Sequence, residues 1–215
     1  MKKVLLLTVI ILVFSSLAVG QKMDQLAVFG GVGAMITPGE NMERYGMGIP
    51  VYFGIEYPEL FKMWILNLTV GLNFGYGAIP PTSDYDYDNL TFIPLTAYAS
   101  YDFTWAVPMT WFFKLVKKEI PLQFVATVGT GLYMCDRGTN SAYGGGEDKA
   151  NGIGFYGGTR IAYKINPEMS VAFNLTGHEV VGMDEEFVGG TLDLGYFYVS
   201  FHYLLPFKFK SLFKK

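Results

Sequence analysis

The chain is short of charge, of cysteine and of long apolar runs. Only 16% of its 215 residues are charged, against about 25% in an ordinary soluble domain. The balance is slightly acidic, with a formal net charge of −3, which removes the basic footprint that a nucleic-acid partner requires. The single cysteine, Cys135, excludes an intrachain disulfide and a cysteine metal cluster. No motif calls for a metal or a cofactor, and none is expected. After Gly20 no apolar run approaches the ~20 residues that a membrane helix needs. Yet 51% of the residues are hydrophobic, and glycine (26), phenylalanine (18) and tyrosine (15) are abundant. Only one other structure satisfies its backbone inside a bilayer, the closed β-barrel.

Met1 to Gly20 reads as a secretory signal. Lys2 and Lys3 open it, Val4 to Val13 form the apolar run, and Ala18-Val19-Gly20 offers a small-residue cleavage site. The expected mature start is Gln21. No cysteine lies near the cut, so no lipoprotein anchor is expected. The division expected is residues 1–20 as signal, 21–205 as barrel and 206–215 as a basic, aromatic periplasmic tail.

Period-two alternation runs through the rest. In Met169 to His178, Met, Val, Phe, Leu and Gly take one parity, and Ser, Ala, Asn, Thr and His the other. In Gly195 to Tyr203, Phe197, Val199, Phe201 and Tyr203 oppose Tyr196, Tyr198, Ser200 and His202. Residues of one parity share one face of a strand. Leu66 to Tyr76 alternates as cleanly, without a charge on its apolar side. Eight such strands are predicted: about Gln25–Thr37, Met47–Tyr57, Trp64–Ala78, Leu90–Phe103, Ile120–Met134, Gly152–Lys164, Met169–His178 and Val188–Leu205. Pro58 to Lys62 reads as a turn or short helical corner. Gly30-Gly31-Val32-Gly33 is no phosphate loop, because no helix pattern follows it. Glycine there allows close approach of neighbouring strands and lumen side chains. Behind an export signal, this pattern predicts an all-β fold: an eight-stranded antiparallel up-and-down transmembrane barrel, apolar outside and polar inside. Met109 to Lys118, between strands four and five, mixes aromatic residues with lysine and reads as a short interfacial helix or an aromatic girdle with a basic turn.

With both termini in the periplasm, the outward loops carry Asp84, Asp86, Asp88, Glu147 and Asp148, and the inward side is rich in lysine. The acidic loops are candidates for an extracellular partner. Asp84, Asp86 and Asp88 lack the glycine and glutamate of a calcium loop, so a solvated loop is expected there.

The pattern resembles the small eight-stranded outer-membrane barrels of the OmpA, OmpX and OmpW kind, over about Leu26 to Tyr203. Its carriers are Ile93-Pro94-Leu95-Thr96-Ala97-Tyr98-Ala99, Gly129-Thr130-Gly131-Leu132-Tyr133, Gly157 to Tyr163 followed by Asn166-Pro167, and the aromatic last strand. The resemblance implies residence in the outer membrane, contact with its lipid, and insertion by the barrel-assembly machinery. Such barrels often end on an aromatic residue, whereas here Pro206 to Lys215 follow. A recognition signal within Gly195 to Tyr203 is therefore expected.

A barrel of this size is filled by side chains or holds one small ligand. The lumen candidates are Glu56, Asp102, Arg160, His178 and His202, with Tyr98, Tyr156, Asn174 and Tyr198 beside them. Arg160 with Glu56 or Asp102 is expected to form a buried ion-pair network, because buried charges need partners; the same group would serve as the gate of a narrow channel. Ser200 and His202 share a face, but two residues do not make a catalytic triad. The expectation is a non-catalytic outer-membrane barrel with a structural or surface-interaction role, or narrow passage of small solutes. The alternatives are a lipid A-modifying acyltransferase or deacylase, and a soluble periplasmic carrier barrel.

Overall fold

The protein, seen in a computed structural model, is described over residues 26–37, 45–63, 66–82, 89–108, 121–136, 149–182 and 191–205, with backbone alone at 59–63 and 66. The signal segment 1–20, Met109 to Lys118, the acidic positions Asp84, Asp86, Asp88, Glu147 and Asp148, and the tail 206–215 lie outside the described residues.

Eight strands follow one another around a closed barrel. They are β1 (Leu26–Ile36), β2 (Ile49–Met63), β3 (Leu66–Ile79), β4 (Leu90–Asp102), β5 (Leu122–Asp136), β6 (Lys149–Lys164), β7 (Met169–Val181) and β8 (Thr191–Leu205). Every strand pairs antiparallel with its sequence neighbour, and β1 closes on β8 from Leu26↔Leu205 to Ile36↔Gly195. Closure leaves no edge with unpaired backbone groups, the condition for crossing lipid with strands.

Parity decides the faces as the alternation predicts. Phe53, Leu72, Val128, Phe155, Phe173 and Val199 are exposed on the outer wall, while Tyr52, Asn73, Tyr156, Asn174 and Ser200 are turned into the lumen and buried. A soluble carrier barrel needs the reverse, so the outer wall argues against that alternative. Described charges on the outer wall stand at the end remote from the termini, here called the far end. Lys149 and Asp136 pair across strands there at 3.4 Å, and Glu179 opposes Asp193. At the termini end the wall carries Tyr163 and Trp105, the latter donating from Nε1 to the Tyr101 hydroxyl at 2.9 Å. Amphipathic rings suit a membrane–water boundary.

The expectation for one segment of β2 needs correction. Pro58 to Lys62 is neither a turn nor a helical corner. β2 continues through it, and the register slips between Tyr57↔Val70 and Phe61↔Leu68, with three residues of β2 between these pairs against one of β3. Pro58 has no N–H to give the ladder, and a bulge is where a strand tolerates that. In the β4–β5 connection Thr104–Ala106 forms a 3-10 turn and Pro108 is helical; the expected interfacial helix at Met109 to Lys118 lies outside the described residues.

The lumen packs by setting rings against glycines. Tyr52 faces Gly75, Tyr98 faces Gly71 and Tyr156 faces Gly129, each as a direct cross-strand partner. A Cβ at any of these glycines would run into the ring. The absence of a side chain on one strand is therefore what lets the ring of the next lie flat across the wall.

The lumen is not polar throughout. At the far end the inward positions turn apolar. Met35, Ile79, Leu90, Phe92, Leu192 and Leu194 are almost fully buried there, together with Tyr52, Tyr133, Tyr196 and Cys135. They fill the cross-section as a plug. The expectation of a polar interior holds only for the half nearer the termini.

Candidate functional site

Below the plug lies a polar network built on Glu56. β2 delivers this carboxylate, β4 delivers Tyr98, β6 Arg160 and β8 His202. These strands are not all neighbours, so the group converges across the lumen. Glu56 Oε1 accepts from the Tyr98 hydroxyl at 2.7 Å and from Arg160 Nη1. Glu56 Oε2 lies 3.4 Å from His202 Nδ1. The Glu56 and Arg160 side chains retain only 7% and 15% of their exposure. An ion pair so placed is held by its added hydrogen bonds, since desolvation otherwise offsets the attraction.

The network continues along β8. Ser200 Oγ is 2.8 Å from His202 Nε2 and accepts from Asn174 Nδ2 at 2.8 Å. With His202 Nδ1–H turned to Glu56, Nε2 accepts the serine proton. Phe29 stacks on the imidazole, ring centroids 5.0 Å apart. The order Ser200–His202–Glu56 has the connectivity of a serine triad. Two features oppose that chemistry. Glu56 is already neutralised by Arg160, and Ser200 borders a void of about 20 Å³, the space of one water. No acyl group fits beside the hydroxyl.

The other sequence candidates fall elsewhere. Asp102 is not the partner of Arg160. Its Oδ1 accepts from the Thr104 backbone N–H at 2.9 Å and its Oδ2 from Gln123 Nε2 at 3.3 Å. His178 is set apart from the Glu56 group, under the plug. It bonds the Tyr133 hydroxyl through Nδ1 and lies 3.2 Å from Thr176 Oγ1 through Nε2, and it stacks on Tyr156 at 4.8 Å. Sequence reading missed Tyr98 as a ligand of the carboxylate, Asn174 as the donor to Ser200, and the plug. The plug had a signal: Leu192 and Leu194 share the parity of Tyr196, and Leu90 and Phe92 share that of Tyr98.

Under the network a cavity of about 230 Å³ opens at the termini end. Arg160, Glu56 and His202 border its inner side, and Asn67, Thr69, Asp102, Gln123 and Lys164 line it nearer the mouth. Among the described residues the lumen is thus a blind vestibule: open at one end, crossed by an ion-pair layer, and stopped by aromatic and aliphatic side chains at the other. Among the described residues no group of three or more His, Cys, Asp or Glu side chains is placed to hold a metal.

No protein-family profile matches the chain, and no curated protein does. Among solved structures, neisserial surface protein A (NspA) superposes with a TM-score of 0.55 at 12% identity, over 83% of this chain and 95% of that one. A major outer membrane protein from Thermus thermophilus superposes with a TM-score of 0.54 at 13% identity, over 84% of this chain and 98% of that one. The outer membrane enzyme PagL gives 0.45 at 12% identity, over 82% and 98%, too distant to carry an argument. The likeness is one of fold, that of the small eight-stranded outer-membrane barrels.

Proposed function

We propose that this chain is an integral outer-membrane barrel without catalytic activity, closed to solutes, that acts through the face it presents at its far end. The observation that carries the reading is the plug: Tyr52, Phe92, Tyr133, Leu192 and Tyr196 are each 2% exposed or less in what would be the channel. The apolar outer wall supports residence in lipid, with assembly by the envelope's barrel-assembly machinery. Placing the termini in the periplasm puts the acidic segments with Asp84, Asp86, Asp88, Glu147 and Asp148 at the outer surface, where they are available to an extracellular partner. In this reading Glu56, Arg160 and His202 are a structural brace rather than a gate.

The test is conductance of the refolded protein in a planar bilayer, alongside membrane fractionation. The account expects inserted protein that gives no discrete openings and that sediments with outer membranes. Reproducible openings that shrink in Arg160→Gln would replace it with narrow solute passage through a gate. Recovery in the soluble periplasmic fraction would remove the membrane reading altogether.

One observation favours a second reading, the Ser200–His202–Glu56 geometry. A lipid A-modifying activity predicts mass changes in lipid A that vanish in Ser200→Ala and His202→Ala. The water-sized void beside Ser200 leads us to expect identical lipid A spectra with and without the protein.

A further inference from the structure

We infer that the vestibule at the termini end is a binding site for a small zwitterion, a solute with an ammonium and a carboxylate a few bonds apart. This goes beyond the proposed function and does not rest on it. The cavity of about 230 Å³ far exceeds the roughly 10–15 Å³ that one water needs. It admits a molecule of amino-acid size.

Its wall carries both signs of charge in register. Asp102 on β4 pairs with Val125 on β5, and Val125 pairs with Arg160 on β6. The three side chains therefore form one lateral row, anion and cation flanking an apolar residue across two strand spacings, about 10 Å. All three line the cavity, as does Ala162 beside them. Asp102 and Arg160 do not satisfy each other. Among the described residues Asp102 Oδ2 is held only by the long contact from Gln123 at 3.3 Å. Arg160 spends Nη1 on Glu56, and its Nε has no hydrogen-bond partner among the described residues. A guanidinium offers five N–H donors, so capacity remains. Lys164 lines the same cavity nearer the mouth, four residues further along β6 on the same face, without a described acidic partner.

The Glu56 carboxylate takes no part, because Tyr98, Arg160 and His202 already occupy it. A ligand of a single sign would answer one wall and leave the other charge facing it across the cavity. A zwitterion answers both, its ammonium toward Asp102 and its carboxylate toward Arg160 and Lys164, with its carbon skeleton against Val125 and Ala162. Because the far end is plugged, the solute enters and leaves by one mouth, so the site captures rather than conducts.

The experiment is calorimetric titration of the whole chain, folded in detergent, with L-alanine, with propionate and ethylamine as probes that keep one charge each. The expected result is saturable L-alanine binding, with propionate and ethylamine each about tenfold weaker or more, the loss of one charge-assisted contact. Asp102→Asn and Lys164→Gln should each weaken L-alanine by a similar factor. Asparagine keeps an acceptor for the Thr104 N–H, and Lys164 is exposed, so neither change removes a packing contact. If Asp102→Asn does not fold, Lys164→Gln decides alone. Absence of saturable L-alanine binding, equal binding of either single-charge probe, or wild-type affinity in the folded variants would each overturn the assignment.

Discussion

The two halves of the lumen are walled by the same eight strands and obey the same alternation, yet they are packed by opposite chemistry. In the far half the inward positions are Leu90, Phe92, Val180, Leu192, Leu194 and Tyr196, and the polar atoms of the layer are tyrosine hydroxyls and the Cys135 thiol. In the near half they are Glu56, Ser100, Asn174, Ser200 and His202, which are joined by hydrogen bonds, while the Nε of the neighbouring Arg160 has no partner among the described residues. The comparison teaches that strand parity fixes which side chains enter a small barrel but not what they do there. An apolar layer fills space by shape and tolerates small changes. A charged layer holds only while each member keeps its partner.

Removing one member of the charged layer should have the largest effect. Glu56→Ala leaves the Arg160 guanidinium buried without its anion, a loss of about 3–5 kcal/mol, read as a lower urea midpoint for unfolding in lipid vesicles. The double change Glu56→Gln with Arg160→Gln should cost less than Glu56→Ala alone, because no lone charge remains. A double variant as unstable as the single would mean that packing, not charge, governs the near half.

Truncation in the plug comes next. Leu192→Ala should cost about 2–5 kcal/mol by deleting buried atoms and leaving a void. The same assay reads it, and an effect under about 0.5 kcal/mol would mean that the far half is loosely filled. Smaller than these two is Ser200→Ala, which leaves Asn174 and His202 without a shared partner and should cost about 1–3 kcal/mol, with no change in lipid A. The glycines sharpen the point further. Gly75→Ala places a methyl against the Tyr52 ring and Pro94, and overpacking of this kind costs about 1–3 kcal/mol. Gly177→Ala on the outer wall meets nothing within 4 Å and should stay within about 0.5 kcal/mol. Equal effects at the two sites would refute the ring-on-glycine account of the lumen.

The strands and their faces were legible because a period of two leaves its mark on every residue, and a barrel applies it eight times over. β2 running through Pro58 was not, since proline and its neighbours look alike in a turn and in a bulge until the partner strand shows the slipped register. The charged layer was legible as a set of lumen residues but not as a set of pairs. Glu56 and Arg160 stand 104 positions apart on strands that are not neighbours, and only closure of the barrel decides that Arg160 meets Glu56 while Asp102 meets Gln123. The plug was written in the parity of Leu90, Phe92, Leu192 and Leu194, but an alternation read as apolar-out and polar-in hides apolar residues that point inward.

The central claim, a lumen stopped at its far end, has a native reporter. Cys135 is the only cysteine and sits within the plug at 3% exposure. The decisive measurement is labelling of the folded, vesicle-inserted protein with a membrane-impermeant maleimide, followed by mass spectrometry. The account predicts no adduct in the folded protein and complete labelling once it is unfolded in hot detergent. An adduct formed on the folded barrel, at a rate near that of the unfolded chain, would contradict it and make the far end an open mouth.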